Sequence, residues 1–324
     1  MKLLTYAHKK EEHLGAAVAG NKIVVDLEAA ERALARREKR PAHPFFADMV
    51  TLLQAGAKGM AAARKVVAAA EEKLGDAPKA DNKTSLPLSK VKLRAPVPNP
   101  PKVFCLAGNY QDHIEEGGGR LAAQDKETPR VFMKPPTTTV IGPEDKILIP
   151  PVARAIDWEG ELAVVIGRTA KGVKAAQALR HVAGYTVMND VSERQLQIVE
   201  RSSSRPRDQW FDWLNGKWLD TFAPQGPWMV TADEIPNPQT LSISTFVNGT
   251  RKQHNNTGQM LYPVASIIEY ISAIITLEPG DLISTGTVSG VGATTGSFLS
   301  PGDRVEIEIS QIGVLRNTVA ASKK

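Results

Sequence analysis

Five apolar residues in a row, Leu162-Ala-Val-Val-Ile166, follow directly on Glu159-Gly-Glu161. An unbroken run of this kind reads as a strand covered on both faces, because a strand with one wet face alternates apolar and polar residues. Residues two apart in a strand share a face, with Cα atoms roughly 6.6 Å apart. Glu159 and Glu161 therefore lean toward one point, while Gly160 keeps the opposite face clear. A second apolar strand, Tyr185-Thr-Val-Met188, leads to Asp190, 29 residues beyond Glu161. Three carboxylates at the edge of a core repel one another unless a cation sits between them. All-oxygen ligands suit a hard ion, so Mg²⁺ or Mn²⁺ is favoured over zinc. The competing reading is a strand whose solvent face carries two glutamates, and the surrounding segments decide between the two.

At 324 residues the chain can bury a substantial core and form two domains. Its apolar runs fall short of the roughly 18–20 residues needed to span a bilayer, so no membrane partner is expected. The first residues, Met1 to Lys10, lack a sustained apolar region and a small-residue cleavage site. No signal peptide is expected, and a cytoplasmic location is the simplest expectation. A single cysteine, Cys105, excludes an intramolecular disulfide and a thiolate zinc cage. The net charge is +5. The densest basic stretch, Arg32 to Arg40, mixes in Glu31 and Glu38 and has no interleaved aromatic residues. It reads as a solvated helix face, so no nucleic-acid partner is expected. A mildly basic protein favours small anionic substrates.

Residues 1–30 read as a small β unit: Leu14, Ala16 and Val18 alternate, Gly20-Asn21 turns, and Ile23, Val25 and Leu27 alternate again. Two helices follow, one with Phe46, Met49, Val50 and Leu53 on a face, the other with Met60, Ala63, Val67, Ala70 and Leu74. Prolines 87, 96, 98, 100 and 101 form a stiff connection. The expected domains are therefore 1–95, a small α+β unit, and 96–324. The second part is rich in strands and turns, with strands at Leu282–Thr285, Arg304–Ile309 and Val314–Val319 and a helix at Val264–Ile275. Ala175 to His181 reads as a short crossover helix that delivers Asp190 beside the glutamates.

Several signatures occur in one order: Gly-Asn-Tyr-Gln-Asp-His (108–113), Met-Lys-Pro-Pro-Thr-Thr (133–138), Asp-Trp-Glu-Gly-Glu-Leu (157–162), Gly-Tyr-Thr-Val-Met-Asn-Asp (184–190), Gly-Lys-Trp-Leu-Asp-Thr-Phe (216–222) and Gly-Asp-Leu-Ile-Ser-Thr-Gly-Thr (280–287). This series resembles the fumarylacetoacetate hydrolase family over about residues 101–315. The resemblance implies an α+β catalytic domain built on a mixed β-roll, usually a homodimer, with Mg²⁺ or Mn²⁺ as cofactor. The family's ligands fall on Glu159, Glu161 and Asp190. Some members add an acidic ligand seven residues before the active-site histidine. That position is Leu106 here, which fits the acylpyruvase and oxo-acid branches better than fumarylacetoacetase itself.

Three carboxylates leave about three positions of an octahedral ion open, enough for a 2-oxo carboxylate to chelate. His113 and Glu116 share a helical face, so the acid can orient the imidazole as a general base, and the family's shorter members use such a pair. Lys217, in a stretch that matches the family, offers an ammonium to a developing oxyanion. Arg194 and Gln197, just beyond Asp190, are candidates to bind a substrate carboxylate, and Thr287 offers its hydroxyl and N–H to the same group. The Gly-rich stretch 286–292 lacks the Gly-Lys-Ser/Thr ending of a phosphate loop. Lys134, before two prolines, reads equally well as structural. Trp210, Trp213 and Trp218 crowd an insertion and suit a pocket wall or a dimer contact. Segment 112–127, broken by Gly117-Gly118-Gly119, reads as a lid with the His113 pair at its root. The expected activity is hydrolysis of a C–C bond in an acylpyruvate-like or 2,4-dioxo acid. Decarboxylation or keto–enol isomerisation of an oxo acid is the alternative, and a non-catalytic metal-binding protein is the third reading.

Overall fold

The computed structural model describes residues 1–75, 78–119 and 128–322. The apolar run lies in the strand Gly160–Ile166, every residue of which is buried. Its alternate residues feed two separate cores. Leu162, Val164 and Ile166 belong to one apolar cluster, while Ala163 and Val165 belong to another. Both faces are dry, which is why no polar residue interrupts the run.

This strand sits inside a mixed twelve-stranded sheet. From one edge the order is Ser85–Pro87, Ile23–Asp26, Glu11–Val18, Lys2–His8, Ala223–Thr231, Val182–Asn189, Gly160–Ile166, Leu282–Ser284, Val103–Ala107 and Arg130–Lys134. Lys92–Leu93 and Val140–Ile141 pair alongside this path. A second sheet of five strands, among them Ser242–Val247, Arg304–Ile309 and Gly313–Ala321, faces the first. Ile243, Ile307 and Leu315 fill the space between the sheets together with Leu162 and Val164. The sheets approach closely at Gly160, where a Cβ would lie 2.3 Å from Thr245 Oγ1 and 3.1 Å from Ile307 Cγ2. Sheet-on-sheet packing thus dictates the glycine between the two glutamates. The first sheet includes two parallel pairs and the second includes one, among antiparallel ones, so the α+β class with mixed sheets expected from the sequence is the one observed.

The return from Ile166 to Val182 differs from expectation. Its helix is short, Ala175–Ala178, and the two strands it links run antiparallel, not as a parallel crossover. Gly160 pairs with Asn189 in that register, which still brings Asp190 beside Glu159. Leu27 also departs from the expected hairpin. It opens the helix Leu27–Arg37, because the Asp26 carboxylate accepts a hydrogen bond from the Ala29 N–H at 2.8 Å and caps the first turn. The helices Met49–Gln54 and Gly56–Leu74 follow. At the expected boundary near residue 95, the Arg94 N–H donates to the Thr5 carbonyl at 2.9 Å. The Thr5 hydroxyl donates to the Pro96 carbonyl at 3.0 Å. Leu3 pairs with Met229, so sheet hydrogen bonding runs unbroken from the first strand into the rest of the molecule. Among the described residues no helix is long and apolar enough to cross a membrane.

Candidate active site

Glu159, Glu161 and Asp190 meet at the open end of the two central strands, all three buried, with one oxygen from each within 4.8 Å of the others. The backbone fixes this arrangement: the Asp190 N–H donates to the Glu159 carbonyl at 3.0 Å. The Glu159 N–H in turn donates to Asn189 Oδ1 at 2.9 Å.

Their surroundings differ sharply. Lys217 Nζ donates to Glu159 Oε2 at 2.8 Å and to Asp190 Oδ2 at 2.7 Å. Lys134 Nζ donates to Asp190 Oδ1 at 2.5 Å and to the Val191 carbonyl at 2.9 Å. Arg194 spans Asp157 (2.9 Å) and Glu159 (2.5 Å). Among the described residues Glu161 pairs with no cation. Its Oε2 accepts from Ser284 Oγ at 2.6 Å and the Gly286 N–H at 2.8 Å, and its Oε1 is buried without a hydrogen-bond partner. Burial raises the Glu159 carboxyl, but the Lys217 and Arg194 charges outweigh it and hold Glu159 well below the ordinary range. Burial, reinforced by the Asp190 and Glu159 charges, pushes Glu161 well above it. Two glutamates on one strand face are pulled in opposite directions by their partners.

That asymmetry tests the fit of a cation. A carboxylate offers about four lone-pair positions. After the bonds above, each of the three retains at least one, and Glu161 Oε1 retains all of its own. Three hard oxygens converging on an uncompensated carboxylate could hold a divalent ion. Leu106 is buried at the wall of the adjoining cavity, so the site is built from three carboxylates.

A cavity of about 550 Å³ opens over the cluster, with His113, Glu159, Arg194, Lys217 and Thr287 among its lining residues. His113 sits on the short helix Gln111–Glu116, with its Nδ1 2.7 Å from Glu116 Oε1. Burial works against the charge of Glu116, but the contact with His113 and the hydrogen bond from the Gly290 N–H outweigh it and hold the carboxyl below its ordinary range. Gly290 N–H donates to Glu116 Oε2 at 2.8 Å, and Ser289 Oγ donates to Asp112 Oδ2 at 2.7 Å. The helix is thereby tied to the Gly-rich stretch. Asp157 holds that stretch from beneath, accepting from the Gly292 N–H (2.6 Å) and the Ala293 N–H (3.0 Å). Residues 120–127 of the expected lid lie outside the described residues.

The structure therefore gathers His113, Glu116, Lys217, Arg194 and Thr287 around the carboxylates. The Thr287 hydroxyl is already engaged, donating to the Gly160 carbonyl at 3.0 Å and accepting from Gln253 Nε2 at 2.8 Å. Gln197 is exposed and is not among the residues lining the cavity. Lys134, left undecided from sequence, is buried on Asp190. The available signal was alternation: Phe132 and Lys134 share the buried face of Arg130–Lys134. Asp157 carried no functional expectation, though it opens the acidic motif and anchors both Arg194 and the Gly-rich stretch. Trp210 and Trp213 line the cavity, and Trp218 donates to the Met133 carbonyl at 3.0 Å.

Residues 102–320 match the family model described as fumarylacetoacetate (FAA) hydrolase C-terminal. The mitochondrial oxaloacetate tautomerase Fahd2a of Rattus norvegicus is 37% identical over 314 residues, covering 96% of this chain and 88% of that protein. The structure of maleylpyruvate hydrolase from Sphingobium sp. SYK-6, in complex with manganese(II) and pyruvate, superposes with a TM-score of 0.73 at 27% identity, covering all of both chains. A 5-carboxymethyl-2-hydroxymuconate delta-isomerase from Mycobacterium smegmatis superposes with a TM-score of 0.69 at 29% identity, over 99% of this chain and 100% of that one.

Proposed function

The chain belongs to the fumarylacetoacetate hydrolase family, and from that premise we propose that it interconverts the keto and enol forms of a 2-oxo acid, with Mg²⁺ or Mn²⁺ held by Glu159, Glu161 and Asp190. The observation that carries this reading is Glu161 Oε1, buried among three convergent carboxylates with no hydrogen-bond partner among the described residues, beside a cavity that Glu159 and His113 line. The oxaloacetate tautomerase similar to this chain over 96% of its length supports the keto–enol assignment over its alternatives.

A divalent ion in this site supplies Lewis-acid stabilisation of negative charge on the oxo acid. The rest falls to the protein. Glu116 engages Nδ1 of His113, which leaves Nε2 to take a proton from the carbon beside the keto group. The proton is delivered to the keto oxygen, so no atom is gained or lost. A charged Glu116 stabilises the imidazolium while it holds that proton. Lys217 and Lys134 hold Asp190 in place at the base. Trp210, Trp213 and Phe132 cover one side and limit water around the reacting carbon.

A second reading, hydrolysis of a C–C bond in a 2,4-dioxo acid, is favoured by the same His113–Glu116 pair, which could instead take its proton from water. The hydrolase found with manganese(II) and pyruvate supports it. Turnover separates the two. With Mn²⁺ present, enolic oxaloacetate should lose its ultraviolet absorbance with no release of CO₂. Release of pyruvate and an acid from acylpyruvates, without acceleration of enol decay, would favour the hydrolase.

A further inference from the structure

We propose that Arg130 receives the distal carboxylate of the substrate and so selects 2-oxo dicarboxylates over 2-oxo monocarboxylates of the same length. This rests on the 2-oxo acid reading of the site and adds the residue that reads the far end of the molecule. Arg130, Phe132 and Lys134 alternate along the strand Arg130–Lys134 and share one face. Lys134, at the inner end, is buried on Asp190. Phe132 comes next, 5.2 Å below Lys217 Nζ and packed edge-on against Trp213. Arg130 is exposed at the mouth, about 13 Å from Lys134 along the strand.

The charges in the cavity distinguish Arg130 from the others. Lys217 is engaged by Glu159 and Asp190, Arg194 by Asp157 and Glu159, and His113 by Glu116. Among the described residues Arg130 forms no ion pair, yet it lines the same cavity. Its neighbours there include Pro129, Trp210, Trp213 and Tyr270, which can enclose the carbon chain but offer no charge to a second carboxylate. A 2-oxo carboxylate head over the three acids thus leaves its distal carboxylate one uncommitted cation to meet among the described residues lining the cavity, and a guanidinium can take it bidentately.

The test is calorimetric titration of the Mn²⁺-loaded protein with 2-oxoglutarate and with 2-oxopentanoate, which differ only in the distal group. The parent should bind 2-oxoglutarate more tightly. Arg130→Gln should weaken 2-oxoglutarate by about 10–100-fold, the size of a charge-assisted contact. It should leave 2-oxopentanoate within about 2-fold, while Arg130→Lys retains part of the preference as a point charge. Arg130 is exposed on an edge strand, and a matched 2-oxopentanoate affinity in the variant certifies an intact head site. Equal losses for both ligands, an unchanged preference, or a parent that lacks the preference or binds neither ligand would each overturn the assignment. A parent that binds with the expected preference but fails to accelerate enol decay overturns the tautomerase reading alone.

Discussion

The carboxylate base and the His113 helix face each other across one cavity, yet different forces hold them. The base belongs to the middle of a sheet. Its strands are dry on both faces, and Glu159 and Asp190 are braced by three buried or half-buried cations. The His113 helix has six residues, none of them buried, and hangs on hydrogen bonds to a glycine-rich stretch. The difference divides the labour. The base must keep like charges together, which needs rigidity and counter-charge. In the proposed reaction the helix delivers one nitrogen to a substrate, which needs only orientation and permits movement.

If the base depends on counter-charge, its acids should respond very unequally to neutralisation. Asp190→Asn removes the anion shared by Lys134 and Lys217, leaving buried ammonium groups undercompensated. A loss of about 3–5 kcal/mol is expected in denaturant unfolding, as for breaking other buried pairs. Unaltered stability would mean that the lysines find water or other partners. On the opposite side of the cavity, His113→Ala should lower turnover by about 10²–10⁴-fold while leaving Mn²⁺ affinity unchanged in calorimetry. A joint loss of both would tie the helix to the metal site and erase the division.

Gly160→Ala probes the packing beneath the base. The added methyl would meet Thr245 Oγ1 at 2.3 Å, so thermal unfolding should register a destabilisation of about 1–3 kcal/mol. A neutral result would mean that the two sheets can part at this point. The smallest effect is expected at Ser289→Ala, which cuts one tie between the helix and the Gly-rich stretch. It should cost about 0.5–1.5 kcal/mol, measured by denaturant unfolding, with the Asp190→Asn variant as the upper reference.

The same contrast explains what could be read in advance. The base was legible because its signals are local. A continuous apolar run, two acids at spacing two and a glycine between them each have a single physical meaning in a strand. His113 and Glu116 were legible for the same reason, being one helical turn apart. What escaped was the counter-charge. Lys134 is 56 residues from Asp190 in sequence, and Arg194 meets Asp157 across 37. Alternation along Arg130–Lys134 marks Lys134 as inward-facing, but nothing local names its partner or that of Arg194, because sheet register creates those pairings. Gln197 failed for the converse reason: proximity to Asp190 in sequence did not carry it into the cavity. The antiparallel return to Val182 escaped because helix and strand periodicity say nothing about direction.

If Glu161 is buried to meet a divalent ion, neutralising it should weaken metal binding without unsettling the fold. Mn²⁺ is titrated into the parent and into Glu161→Gln, and the metal-free melting of both is recorded. The glutamine oxygen can still accept from Ser284 and Gly286, and no cation loses a partner. The account predicts one Mn²⁺ per parent chain and an affinity lowered by roughly 100-fold or more in the variant, beyond the 10–100-fold typical of residues that merely support a ligand. Metal-free melting should be the same or slightly higher in the variant, since a buried uncompensated acid has been neutralised. Equal Mn²⁺ affinity in the two proteins would contradict the account.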